Sequence, residues 1–244
     1  MRLFFMTLIF GIGALMCNLS LGQVMFPGER WEEASPASMG LDKGRLDEAA
    51  TILSTKVGRD GAKRLVIVRH GRIVWKGSEA DERQGVWSMT KSFTSTVAGL
   101  LIAKGRCTLD TKVADVLPEL KTAYPEVRLR HLLTMTSGYR AMGDEPRGDY
   151  LHGPSVTPFV PNPEPLFTPP GTQYAYWDSA MNLLGLVLTK LAGAPLKEVF
   201  RRLVAEEIGM SNWDWGDFGE IDGIVVNGGA GNMNRHVKIS ACDM

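Results

Sequence analysis

The sequence predicts an α+β protein, and three observations carry that assignment. Two β-rich runs, residues 64–69 and 72–76, are separated only by His70-Gly71, which reads as a β-hairpin. Apolar residues at helical spacing flank it: Leu46, Ala49, Ala50, Leu53 and Val57 before, and Phe93, Val97, Leu100 and Leu101 after. A further helical stretch, residues 180–192, is apolar almost throughout and stops at Gly193.

Size and charge narrow the possibilities. The chain has 244 residues, 44% hydrophobic and 22% charged, which suits one globular domain or one domain with a subdomain. The 27 basic and 27 acidic residues cancel, and no basic stripe stands out, so nucleic acid is not an expected partner. Met1-Arg2, an apolar run over residues 3–16 and the small residues of Ser20-Leu21-Gly22 read as a secretory signal peptide, residues 1–22. The run is too short for a membrane span. A lipoprotein alternative through Cys17 is weakened by bulky Met16 before it. The domain is then residues 23–244, and the expected location is periplasmic or secreted. Cys107 and Cys242 remain, too few and too distant for a disulfide framework and outside any metal-ligand spacing.

Each element has a local reason. Asp42 can cap the first helix. His70-Gly71 makes the tight turn of the hairpin, and a polar loop from Gly77 to Gly85 leads to Ser88, which sits at an N-cap position ahead of the Phe93 helix. Gly105 stops that helix. Residues 129–135 form a short helix candidate. From Gly138 to Gln173 the chain is irregular, with eight of the 13 prolines between Pro146 and Pro170; such a stretch is a functional lid, a binding loop, disorder or a solvated surface excursion. Asp178 or Ser179 can cap the apolar helix at 180–192, and Pro195 opens another that runs to Glu207. Residues 224–226 make a short strand. Residues 227–232 form a glycine-rich turn that lacks the setting of a phosphate loop. Ser240 with Asp243 looks like a helix start.

The chemistry centres on Ser88 and Lys91. Serine is an ordinary N-cap and needs no reaction to explain it there. A capping box would place Glu or Gln three residues on; Lys91 stands there instead, a cation at the positive end of the helix dipole. Ser-x-x-Lys alone is expected about once by chance in a chain of this length. Yet the pair has a rationale. A serine hydroxyl needs a base, and a lysine serves as one when burial and the helix N-terminus hold its amine neutral. A tyrosine is a suitable second proton carrier. The four histidines, at 70, 131, 152 and 236, show no metal spacing, and Gly-x-Ser-x-Gly, His-Glu-x-x-His and Gly-x-x-x-x-Gly-Lys are absent, so no cofactor or metal is expected.

Trp87-Ser88-Met89-Thr90-Lys91 resembles the first motif of the serine β-lactamase and penicillin-binding protein superfamily, nearest to the class C β-lactamase-related branch with its esterases and amide hydrolases. His131-Leu132-Leu133-Thr134-Met135-Thr136-Ser137-Gly138 is similar to the same family. So are Pro170-Gly171-Thr172, Tyr176-Trp177-Asp178 and Asn182-Leu183-Leu184-Gly185, which fall in its second-motif region. The likeness runs from about Trp31 to the last residue.

The resemblance implies an antiparallel sheet with flanking helices and a mostly helical subdomain. It implies that Ser88 is the acylated nucleophile, with its backbone N–H in the oxyanion hole, that Lys91 is the base, and that Tyr176 carries a proton to the leaving group. Tyr174 rivals Tyr176 for that role. The substrate would be a small molecule or peptide-like, with an ester, amide or β-lactam bond. A non-hydrolytic penicillin-binding or sensor protein and an inactive truncated product are the alternatives. Asp178 departs from the Asn common at its position: beside Lys91 its carboxylate would favour the charged amine, whereas as a helix cap it would point away. No third motif, Lys-Thr-Gly or His-x-Gly, follows Tyr176. The sequence-based expectation is therefore a C-terminally incomplete domain without the last strands and terminal helix.

Overall fold

The computed structural model describes residues 26–28, 30–56, 61–142, 157–232 and 234–244. Residues 1–22, where a signal peptide is expected, together with Val57, His152 and much of the proline-rich loop, lie outside the described residues. Among the described residues, no helix is long and apolar enough to cross a membrane.

The fold is α+β, with helices packed among three small sheets. β1 (Glu32–Glu33) runs parallel to β3 (Arg72–Lys76), which pairs antiparallel with β2 (Val66–Arg69). Between β1 and β2 lies α1 (Lys43–Lys56), and Asp42 Oδ1 accepts the Arg45 N–H at 2.9 Å, the predicted cap. His70 (φ 52°) and Gly71 (φ 76°) both take the left-handed conformation that a two-residue hairpin turn requires.

The second sheet contains the elements the sequence pattern did not reveal. β4 (Gln84–Gly85) and β5 (Trp213–Trp215) pair antiparallel with the two edges of β8 (Val237–Ile239). The third is a hairpin of β6 (Asp217–Ile221) and β7 (Ile224–Asn227), turned at Asp222-Gly223. β7 covers the expected strand at 224–226. β5, β6 and β8 are short, and three or five residues show too little alternation to stand out. The parallel β1 also departs from a purely antiparallel arrangement.

Two expected caps are corrected. Ser88 lies inside a 3-10 turn, Trp87–Met89, and α2 (Thr90–Ala103) follows it without a side-chain cap. α5 (Asp178–Ala192) begins after Trp177, so neither Asp178 nor Ser179 is its N-cap. In both places the polar side chain has a tertiary partner instead. Ser240 Oγ accepts from Asp243 N–H and donates to its carboxylate, but residues 241–243 form a turn rather than helix. α6 (Leu196–Phe200) continues as π-helix, Arg201–Ala205. The remaining helices are short: α3 (Val113–Val116) and α4 (Leu129–Leu133).

α5 is the core of the molecule. Residues 179–189 are buried without a break, which explains why that stretch is apolar nearly all round rather than on one face. α2, α4, α6 and β7 pack against it. Phe93 of α2 meets Phe200 of α6 with ring centroids 5.0 Å apart, and Phe200 meets Trp213 at 5.3 Å. Cys107 and Cys242, the two cysteines among the described residues, are free thiols; burial raises the Cys107 pKa, and burial together with Asp81 pushes that of Cys242 up to about 11.

Two measurements check this packing. Leu184→Ala, at a fully buried position, should lower unfolding free energy by about 2–5 kcal/mol in a urea titration; a loss under about 1 kcal/mol would contradict the buried placement of α5. Because thiolate is the reacting form, Cys242 should be alkylated by iodoacetamide at pH 8 about 100-fold more slowly than an exposed cysteine peptide, and equal rates would contradict its setting.

Candidate active site

Four predicted side chains converge from two helix starts and the loop between them. The turn Trp87–Met89 presents Ser88 at the surface, and the first turn of α2 presents Lys91 on the same face. The extended segment ahead of α5 presents Tyr176, and the first residue of α5 is Asp178. Ser88 Oγ lies 2.7 Å from Tyr176 OH and accepts from Lys91 Nζ at 3.0 Å. Tyr176 is half exposed, its ring centroid 4.7 Å from Lys91 Nζ. Tyr174 points elsewhere, its hydroxyl on Met135 Sδ at 3.6 Å.

Lys91 has three acceptors for its three protons. Besides Ser88 Oγ, it donates to Asp178 Oδ1 at 2.8 Å and to the Ala230 carbonyl at 2.7 Å. The Lys91 and Asp178 side chains are 12% and 14% exposed, so water screens the pair poorly. A cation at a helix N-terminus is disfavoured by the dipole, and a carboxylate at one is favoured. The Lys91–Asp178 pair offsets the first with the second. Removing one member of such a pair costs about 3–5 kcal/mol.

Ala230 is the participant the sequence did not announce. It belongs to the glycine-rich turn at 227–232, which lies against α2 and α5. The signal was present as composition, because glycines also mark close backbone approach. A Cβ on Gly229 would lie 2.1 Å from the Met181 carbonyl, and one on Gly231 would lie 2.0 Å from that of Trp87. Trp87 itself has φ 49°, an unusual conformation for an aromatic residue, immediately before the serine. Its exposed ring lies 5.4 Å from that of His236.

The histidines stand in other settings. His131 Nδ1 accepts the Arg128 N–H at 3.2 Å, and burial together with Arg130 and Arg128 holds the ring below the usual histidine range. Burial and Lys238 hold His236 low as well. Among the described residues, no three His, Cys, Asp or Glu side chains gather as a metal site. The arrangement at Ser88 is an exposed hydroxyl with a phenol and a lysine amine both within hydrogen-bond reach.

Comparisons with known proteins bear on the family and the fold. A sequence profile described as Beta-lactamase matches residues 49–237. Esterase EstB of Burkholderia gladioli is 27% identical over 175 residues, covering 59% of this chain and 44% of the esterase. A protein named Beta-lactamase from Pseudomonas fluorescens is 26% identical over 128 residues, covering 52% of this chain and 35% of its own. The octameric penicillin-binding protein homologue from Pyrococcus abyssi superimposes with a TM-score of 0.60 at 21% identity, over 83% of this chain and 55% of that one, a likeness of fold. The chain spans less than half the length of these two curated relatives.

Gly231→Ala tests the close approach of the turn to Trp87. The added methyl meets a carbonyl, and φ 96° strains any L side chain. The denaturation midpoint should fall by an amount worth more than about 1 kcal/mol, and an unchanged midpoint would contradict the packing.

Proposed function

Because the chain belongs to the beta-lactamase family, we propose that it is a serine hydrolase working through an acyl-enzyme on Ser88. Relatives named as an esterase and a β-lactamase support hydrolase activity. The observation that carries the finer reading is the contact of Ser88 Oγ with both Tyr176 OH and Lys91 Nζ.

In the proposed step, Ser88 Oγ attacks the carbonyl carbon of an ester, amide or β-lactam and loses its proton. On the division of labour that the motif resemblance implies, neutral Lys91 is the base and Tyr176 delivers a proton to the leaving group. The carbonyl oxygen becomes an oxyanion, and the Ser88 N–H is one donor for it, since the first N–H groups of a helix have no partner within it. Water then releases the acyl group and restores Ser88.

A second division of labour has its own support. Three acceptors surround Lys91, one of them a carboxylate, and that pattern suits an ammonium with no lone pair to offer. Tyr176 would then take the Ser88 proton, and the cation beside its ring would stabilise the charge developing on its oxygen. On either division, Asp178 aligns Lys91 rather than capping α5. A secreted or periplasmic location remains part of the proposal and rests on residues 1–22 of the sequence. A receptor that acylates without turnover would share the first half of this chemistry; a stoichiometric burst with no steady state would identify it.

The protein expressed from its complete coding sequence should react with a fluorophosphonate or a fluorescent penicillin, and Ser88→Ala should not; equal labelling of both would refute the reading. Tyr176→Phe then separates the two divisions. A p-nitrophenyl ester has a leaving group that departs without a proton, so loss of a leaving-group acid alone should change its rate less than about threefold. The crowding of acceptors around Lys91 leads us to expect a loss of about 100-fold or more, with p-nitrophenolate release as the readout. A rate within threefold of wild type would return the first proton transfer to Lys91.

A further inference from the structure

Ala230 has no side chain that could hold its carbonyl against Lys91, so other groups must orient that stretch of backbone. Two do. Thr94 lies one turn beyond Lys91 on α2, and Asn182 lies one turn beyond Asp178 on α5. Both are fully buried. Thr94 Oγ1 donates to the Gly229 carbonyl at 2.9 Å, and Asn182 Oδ1 accepts the Ala230 N–H at 3.0 Å. That carbonyl and that N–H belong to one peptide plane. The plane is gripped at both edges, once from each helix that also supplies a charged member of the site.

The grip extends along the turn. Asn182 Nδ2 donates to Asn232 Oδ1 at 3.1 Å, so one amide side chain spans two points of the loop. Thr94 Oγ1 also faces the Thr90 carbonyl, at 3.2 Å, but a hydroxyl has one proton and the Gly229 contact is the shorter. With the 229–230 plane held, the next carbonyl along the chain, that of Ala230, reaches Lys91 Nζ at 2.7 Å. Each helix therefore uses its first turn to supply charge and its next to fix the backbone that meets that charge.

We propose that Thr94 and Asn182 are positioning residues that pin the 229–230 peptide, so that the Ala230 carbonyl and Asp178 together hold Lys91 on Ser88. This rests on the reading of Ser88 as the nucleophile. A purely structural role predicts something different: loss of the hydroxyl would lower stability and leave the reactivity of the folded protein unchanged.

The test is the rate of Ser88 phosphonylation by a fluorophosphonate, measured well below the melting temperature on protein expressed from the complete coding sequence. Thr94→Val keeps the shape and removes the donor, and should slow labelling about tenfold. Thr94→Ser restores the donor and should return the rate to within about twofold of wild type. Folded Thr94→Val labelled at the wild-type rate would overturn the proposal, as would a slow Thr94→Ser. Should Thr94→Val fail to fold, Thr94→Ala decides in its place: a tenfold loss supports the pin and a wild-type rate overturns it. Ser88→Ala is run alongside. Labelling of Ser88→Ala would refute the nucleophile itself, whereas an unlabelled Ser88→Ala beside a fast Thr94→Val would refute only the pin.

Discussion

A lysine amine largely buried at the positive end of a helix needs acceptors around it, and this protein is folded around meeting that demand. Lys91 stands in the first turn of α2, where the dipole opposes it. Asp178 reaches it from the first turn of α5 and the Ala230 carbonyl from the glycine-rich turn. Residues 87 positions apart in one case and 139 in the other are thereby drawn to one atom. Ser88 takes the remaining proton, which ties the exposed hydroxyl to the buried framework.

The same demand explains the glycines. A carbonyl can approach a lysine wedged between two helices only if the chain carrying it has no side chains in the way. Gly229 abuts the Met181 carbonyl of α5 and Gly231 abuts the Trp87 carbonyl next to the serine. The left-handed backbone of Trp87 belongs to this crowding, since its carbonyl is the atom Gly231 must clear. β8 closes the arrangement from behind: the Val237 N–H bonds Thr90 Oγ1, and the Val86 N–H bonds the Val237 carbonyl. The strained turn that carries Ser88 is thus held on both sides by backbone far from it in sequence.

What was legible in the sequence follows from the range of the forces involved. α1, α2, α5 and the β2–β3 hairpin have periodic apolar residues or a two-residue turn, signals confined to a few neighbours, and they stand where the pattern places them. β5, β6 and β8 are too short to show a period, and they exist because of pairing with distant partners. Ser88 and Asp178 looked like helix caps because local rules favour them there. Each has turned to a partner that local rules cannot see, with Lys91 common to both. The family motifs identified Ser88, Lys91 and Tyr176 as a group, and the structure brings these three together with Asp178. The Ala230 carbonyl escaped because backbone atoms carry no residue signature. Its only trace was a cluster of glycines, which by itself reads as a turn.

The central claim is that the group fixed by Lys91 and touched by Tyr176 is a nucleophile. Mass spectrometry of a tryptic digest after fluorophosphonate treatment tests it most directly. Cleavage after Arg83 and Lys91 isolates residues 84–91, in which Ser88 is the only serine. A single stoichiometric adduct on that peptide, at Ser88, is expected. An adduct confined to any other peptide, or none on catalytically competent protein, would contradict it.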